Sequence, residues 1–291
     1  MTDFEKVKNY YRHFDEKNRL RNDNSGKLEF LMTMRILEKN LPPVQGAEGA
    51  DGREASEEVS ILDLGGGAGV YSFPLAKKRY KVRLADLSET LLAQANKQKE
   101  EEAVQNLISC DQVNATDLSC YKDQSFDVVL LFGPLYHLTE KAEREKCVSE
   151  VGRVLKNGGK VFAIFIPHLS GSISLVQRFC WSPDQVDINT LEKCFESGKF
   201  KNLSDKGFQE GYYPASEEIE NLFSANDFEK IRLRSIRGFS YEKEDVIFKF
   251  KNKNVFTKIL DLIDSTAEDK SIIEMCGHAM YVGRKFGMPV I

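Results

Sequence analysis

Several short stretches of this sequence carry residues that could do chemistry. The first is Ile61-Leu62-Asp63-Leu64-Gly65-Gly66-Gly67-Ala68-Gly69. A glycine turn closing an apolar run lets backbone N–H groups approach a ligand, because no Cβ stands in the way. The dinucleotide pattern G-x-G-x-x-G does not fit. Counted from Gly65 its third glycine falls on Val70, and counted from Gly67 it falls on Ser72. What fits is Asp-Leu-Gly-x-Gly-x-Gly, with Asp63, Gly65, Gly67 and Gly69. Asp86 follows 21 residues after Gly65, a carboxylate able to accept both hydroxyls of an adenosine ribose. In Gly133-Pro134-Leu135-Tyr136-His137-Leu138, His137 offers an imidazole that titrates near neutral pH and so a general base. His168 is a second candidate base. Each has a plainer reading: a tight βα connection for the glycines, a capping or packed histidine for His137.

These residues need elements to hold them. Val59–Leu64, Lys81–Ala85, Leu107–Asn114, Phe126–Phe132 and Lys160–Ile166 read as short buried strands. Helices near Val70–Arg79, from Glu89 (capped by Ser88) and over Lys141–Leu155 separate them, with Asn157-Gly158-Gly159 as a helix stop. This alternation predicts a parallel sheet with right-handed crossovers. Residues 1–41 carry apolar residues at helical spacing, Phe4, Val7, Tyr10, Tyr11 and Phe14, then Leu28, Leu31, Met32, Ile36 and Leu37. Pro42-Pro43 ends that region, and the polar, glycine-bearing Gln45–Glu58 reads as a loop. The rhythm breaks over Leu169–Gly211, partly helical at Ile173–Trp181 and Thr190–Phe195. It returns with a helix near Ala215–Ala225 and strands near Lys230–Ile236 and Ala279–Arg284, with helix at Val255–Ser265 and Ile272–Cys276 between them.

Composition narrows the function classes. The chain has 291 residues, 41 Lys+Arg against 45 Asp+Glu, and 41% hydrophobic residues, enough for a substantial core. A net charge of −4 argues against a dedicated nucleic-acid binder. The apolar runs Val128–Phe132 and Val161–Ile166 fall far short of the roughly 18 residues a membrane span needs. Met1–Tyr11 is polar and mixed in charge, unlike a secretory signal. Six cysteines without a C-x-x-C pair read as reduced cytoplasmic thiols, and the four scattered histidines supply no zinc set.

Taken in order, the motifs resemble the class I S-adenosylmethionine-dependent methyltransferases. In that family the glycine turn wraps the methionine half of the cofactor, and the acidic residue before it supports that end. Asn114-Ala115-Thr116-Asp117-Leu118 resembles the segment that cups the adenine, with Asn where the family often has Asp. Leu155-Lys156-Asn157-Gly158-Gly159-Lys160 resembles the family's stop before the fifth strand. Tyr10-Tyr11, Arg19-Leu20 and Leu28-Glu29-Phe30 resemble a lid segment of bacterial small-molecule members. The resemblance implies a cofactor set of Asp63, Gly65, Gly66, Gly67, Gly69, Asp86, Leu87, Asn114, Ala115, Phe132 and Gly133. It adds Tyr11 near the sulfonium and Arg19 on the methionine carboxylate.

The expected fold is therefore α/β: a Rossmann-like, doubly wound, mostly parallel seven-stranded sheet with an N-terminal helical lid and an inserted helical cap. The expected division is 1–41 lid, 42–58 linker, 59–166 core, 167–211 cap and 212–291 closing part. The expected activity is methyl transfer from S-adenosylmethionine to the oxygen or nitrogen of a small molecule, without a metal. His137 is the candidate base, Tyr136 a positioning group, and Tyr212 and Tyr213 substrate-facing. The cap aromatics could equally be that segment's own core. Gly133-Pro134-Leu135-Tyr136 differs at two of four positions from the Asn/Asp-Pro-Pro-Tyr motif of amino-methylating DNA and protein enzymes. A non-catalytic cofactor binder and a nicotinamide oxidoreductase stay open as alternatives. The sequence gives no oligomeric state.

Overall fold

The computed structural model describes residues 16–44, 58–203 and 210–287. Phe4, Val7, Tyr10, Tyr11 and Phe14, and the expectations attached to them, lie outside the described residues. The first helices are α1 (Glu16–Asn22) and α2 (Asn24–Asn40). Asp23 starts α2 by accepting from the Gly26 N–H at 2.7 Å. The helices then touch backbone to backbone, and a Cβ on Gly26 would sit 2.4 Å from the Arg19 carbonyl. Leu28, Met32, Ile36 and Leu37 are fully enclosed, so one face of α2 is core.

The alternating region then follows: β1 (Ser60–Leu64), α3 (Ser72–Lys77), β2 (Lys81–Asp86), α4 (Glu89–Glu102), β3 (Leu107–Gln112) and β4 (Phe126–Phe132). After it come α5 (Pro134–His137), α6 (Lys141–Val154) and β5 (Leu155–Phe165). The 168–212 stretch holds α7 (His168–Trp181), α8 (Ile188–Ser197), β6 (Lys199–Lys201) and β7 (Glu210–Tyr212). The chain closes with α9 (Ser216–Ser224), β8 (Phe228–Ser235), α10 (Glu244–Ile247), α11 (Lys253–Thr266), α12 (Lys270–Glu274) and β9 (Ala279–Lys285).

Seven strands form one sheet in the order β3-β2-β1-β4-β5-β9-β8. The first five are mutually parallel, and β9 runs antiparallel to both β5 and β8. The fold is the doubly wound, mostly parallel one that the alternation predicts. Strand alternation sorts the core into two layers. Ile61, Val128, Leu130 and Phe162 pack with α2, α3 and α11 on one face. Leu62, Val129, Leu131 and Ala163 pack with α6 and α9 on the other. The strand order reverses between β1 and β4, and a crevice opens beyond their carboxyl ends.

Three local readings change. The Asn157–Gly159 stretch is not a gap between helix and strand. Helix α6 ends at Val154, β5 begins at Leu155, and residues 156–159 bulge out between the pairings Phe126↔Leu155 and Val128↔Lys160. Gly158, at φ 76°, supplies the left-handed residue that the bulge needs. Strand β3 stops at Gln112 rather than Asn114, because the Asn114 side chain folds back on Thr116. The small sheet β6–β7 carries no period-2 signal, since its strands are three residues each.

Candidate functional site

The turn Gly65–Gly69 is held in its shape by contacts that leave no room for a Cβ at Gly65, Gly66 or Gly69. Gly65 has φ 78°, and a Cβ there would meet Pro134 Cδ at 2.6 Å. A Cβ on Gly66 would meet Leu84 Cδ1 at 2.3 Å and Asp63 Cγ at 2.6 Å. The Gly65 N–H is tied to the Ala85 carbonyl at 2.8 Å, and the Gly67 N–H donates to Asp86 Oδ2, also at 2.8 Å. Asp86 Oδ1 accepts from the Ser88 N–H at 2.7 Å. The carboxylate at the end of β2 therefore braces the turn and the start of α4 together. The same residue lines a cleft.

These residues rim an open cleft with about 1170 Å³ of empty space at the carboxyl ends of β1, β2 and β4. One part is lined by Gly65, Gly66, Gly67, Asp86, Leu87, Leu91, Val113, Asn114 and Ala115. The other is lined by Arg19, Glu29, Tyr71, Phe132, Gly133, Tyr136, His137, Ile164 and His278. Most of the wall is apolar, with polar groups at a few points, as small-molecule sites are built.

Asp63 does not reach the cleft. It lies wholly enclosed behind the turn, where Oδ2 accepts from Ser72 Oγ at 2.6 Å and Oδ1 has no partner. Burial pushes its pKa up to about 6 against the opposing hydrogen bond from Ser72, and the Asp86 charge adds to the rise. Gly69 also lies behind, packed against Phe73 at φ 84°. Asn114 lines the cleft, but its Oδ1 accepts from both the N–H and the hydroxyl of Thr116, each at 3.0 Å. That oxygen is therefore spent on the loop rather than left for an adenine amino group.

His137 and Tyr136 line the cleft together, their rings 4.9 Å apart. Enclosure pushes the His137 pKa down to about 3. Its ring is neutral at physiological pH and a weak base, because the apolar walls penalise the imidazolium. The other sequence candidates lie elsewhere. His168 Nε2 is 2.9 Å from the Cys194 carbonyl, which ties α7 to α8. The Tyr212 hydroxyl donates to Glu218, and the Arg144 guanidinium sits 3.7 Å from its ring centroid. Tyr213 is buried beside Phe200 and against Gly171. None of the three lines the cleft, since the small core of the 168–213 stretch claims them. Sequence reading missed Tyr71, Glu143, Ile164 and His278. Glu29 it quoted only as part of a lid resemblance. Of these only His278 offered a signal, a lone histidine just before a strand.

A glycine turn after the first strand, a carboxylate at the end of the second and a crevice at the switch point define a Rossmann-like protein that binds a nucleoside cofactor. The contacts that exclude a Cβ at Gly65 and Gly66, and the apolar slot beside Asp86, fit an adenosine cofactor with a compact polar tail. Residues 62–163 match the family model described as "Methyltransferase domain". Over those residues the chain is similar to the class I S-adenosylmethionine-dependent methyltransferase domain. It is 32% identical over 121 residues to a phosphatidylethanolamine N-methyltransferase of Cereibacter sphaeroides, covering 40% of this chain and 56% of that protein. It is 33% identical over 111 residues to a ubiquinone/menaquinone biosynthesis C-methyltransferase of Zymomonas mobilis, covering 38% and 43%. The chain thus spans about half the length of the curated relatives it matches. In fold it resembles the magnesium protoporphyrin IX methyltransferase of Synechocystis, solved with bound S-adenosylhomocysteine. The TM-score is 0.55 at 15% identity, over 98% of this chain and all of that one.

Proposed function

We propose that this chain transfers a methyl group from S-adenosylmethionine to a small-molecule acceptor, at oxygen or nitrogen. One observation carries the reading: the glycine turn, Asp86 and the Tyr136–His137 loop meet in one cleft. Bound S-adenosylmethionine supplies an electrophilic methyl carbon on a sulfonium, so the protein's task is to place the acceptor in line and manage its proton. Asp86 and the Gly65–Gly67 backbone would hold the ribose and the amino-acid tail. Arg19 would pair with the tail's carboxylate. Leu87, Leu91, Val113 and Ala115 would enclose the base. Phe132, Ile164 and Leu138 keep water from the reacting end, and Tyr136 with neutral His137 positions the acceptor.

The lipid and the porphyrin named by relatives share one feature, a polar group on an apolar body, and the quinone-pathway relative is named for transfer to carbon. The apolar walls here suit that class. No helix among the described residues is long and apolar enough to cross a membrane. The cysteines are free thiols, with Cys147, Cys194 and Cys276 buried, which suits a reducing cytoplasmic compartment.

Calorimetry on the purified chain tests the cofactor. Micromolar binding of S-adenosylmethionine and S-adenosylhomocysteine without NAD is expected, and binding of NAD alone overturns the reading. Methyl-labelled S-adenosylmethionine is then incubated with phosphatidylethanolamine vesicles and with a demethylated quinol. Recovery of label in either product is expected. Cofactor binding with no label transferred favours a non-catalytic binder.

A further inference from the structure

One wall of the cleft joins residues from opposite ends of the chain. Glu29 on α2 is buried, and its Oε2 accepts from His278 Nδ1 at 2.9 Å, across 249 residues of sequence. Its Oε1 accepts from Arg19 Nη1 at 3.2 Å. The Arg237 Nε lies 3.8 Å from Oε2, while Arg237 Nη1 is committed to Glu244 at 2.7 Å. Burial alone would raise the Glu29 pKa, but its pairing with His278, Arg19 and Arg237 outweighs that and holds the carboxyl well below the usual range.

His278 is fixed from behind as well. Its carbonyl accepts from the Ile236 N–H at 3.0 Å, and the Gly277 N–H donates to Ser170 Oγ at 2.9 Å. The ring lines the cleft, 6.1 Å from the Tyr136 ring. A carboxylate can only accept, so Nδ1 carries the hydrogen and Nε2 keeps its lone pair. Nε2 has no hydrogen-bond partner among the described residues. A ring held by a carboxylate at one nitrogen, with the other open to a ligand cleft, has the arrangement of an oriented general base.

We infer that His278, oriented by Glu29, accepts the proton of the methyl acceptor, which makes that acceptor a hydroxyl or a protonated amine. The inference rests on the methyl-transfer reading above. The acceptor's X–H proton moves to Nε2, and the electron pair on X forms the bond to the methyl carbon. The methyl–sulfur pair stays on sulfur, giving a thioether. The positive charge passes to the imidazolium, beside the Glu29 carboxylate, and the proton leaves to water. Glu29 is a positioning residue here.

Two measurements on the full chain test this. The first is two-bond 1H–15N spectra of histidine-labelled protein loaded with S-adenosylhomocysteine, with His278→Asn to assign the signal. The Nδ1–H tautomer is expected for the neutral His278 ring, and Glu29→Gln should mix the tautomers. An Nε2–H tautomer overturns the proposal. The second is the rate with phosphatidylethanolamine vesicles. In His278→Asn the amide keeps a donor for Glu29 but the second nitrogen is gone. Its kcat should fall about 10²-fold or more with S-adenosylhomocysteine affinity unchanged. The loss should shrink as rising pH deprotonates the amine in solution. The pH profile is read against Glu29, Arg19, Arg237, Glu244, Tyr136 and His137, which surround the ring, and Glu29→Gln should shift it. A kcat within twofold of the parent protein, or a loss matched by lost cofactor affinity, overturns the proposal. If the parent protein binds S-adenosylhomocysteine yet methylates nothing, the methyl-transfer reading fails while the spectra still decide the His278 assignment.

Discussion

The Gly67 N–H donates to Asp86 Oδ2 at 2.8 Å, so the carboxylate ending the second strand clamps the turn that follows the first. Its other oxygen holds the Ser88 N–H at 2.7 Å. Removing it with Asp86→Ala takes away a charged acceptor for the ligand and frees the turn at once. The expected loss of S-adenosylhomocysteine affinity is about 1.5–3 kcal/mol, roughly 10- to 100-fold. Calorimetry reads it, and unchanged affinity would sink the ribose assignment.

Gly66 has no room for a methyl group. Its Cβ would lie 2.3 Å from Leu84 Cδ1 and 2.6 Å from Asp63 Cγ. Gly66→Ala should cost about 1–3 kcal/mol in urea unfolding, because both neighbours are enclosed. It should also lower cofactor affinity by displacing the turn. A variant as stable as the parent protein would mean that the turn is softer than its packing implies.

Asp63 gives the stability a signature in pH. Its folded pKa is raised to about 6, chiefly by burial, against an ordinary 3.8. Between those values the folded state binds more protons than the unfolded one, so stability falls as pH rises through that window. The cost persists above it and is on the order of 2–3 kcal/mol. Asp63→Asn keeps an acceptor for Ser72 and carries no charge. Urea midpoints at pH 5 and pH 8 should therefore differ less in the variant. Identical slopes for both proteins would contradict an ionised, enclosed Asp63.

Tyr212 and Arg144 are predicted to act on stability alone. Arg144 Nη1 donates to the carbonyls of Leu138 at 2.8 Å and Thr139 at 3.0 Å, and its guanidinium stacks on Tyr212. Arg144→Met should cost about 2–3 kcal/mol, since the buried Leu138 carbonyl and the half-buried Thr139 carbonyl lose a charged donor. Tyr212→Phe should cost about 1 kcal/mol through the lost Glu218 bond. Acceptor KM in Tyr212→Phe should stay where it is. A clear rise would return Tyr212 to the substrate site.

The cofactor half of the cleft was readable in sequence because it is local. A strand, its glycine turn and the next strand's terminal carboxylate lie within Ser60–Asp86, and strand alternation places them side by side. The turn's glycines were legible by type, although two of the motif's members, Asp63 and Gly69, proved to brace the turn from behind. Tyr212 and Tyr213 misled for a physical reason. Aromatics in a stretch without periodicity fit a pocket wall and a small core equally well, and packing alone decides between them.

The sequence by itself determined the parallel sheet, the turn and Asp86, because short apolar runs, glycine φ freedom and strand-to-helix spacing are written in neighbouring residues. Only the tertiary structure decided which histidine stands beside a carboxylate. Glu29 and His278 meet because α2 packs on the sheet face that Met280 and Val282 of β9 help to form, and His278 lies just before that strand. His137 lies in an apolar wall that holds it neutral, and no spacing rule carries either fact. The field at a side chain is summed over whatever the fold brings close.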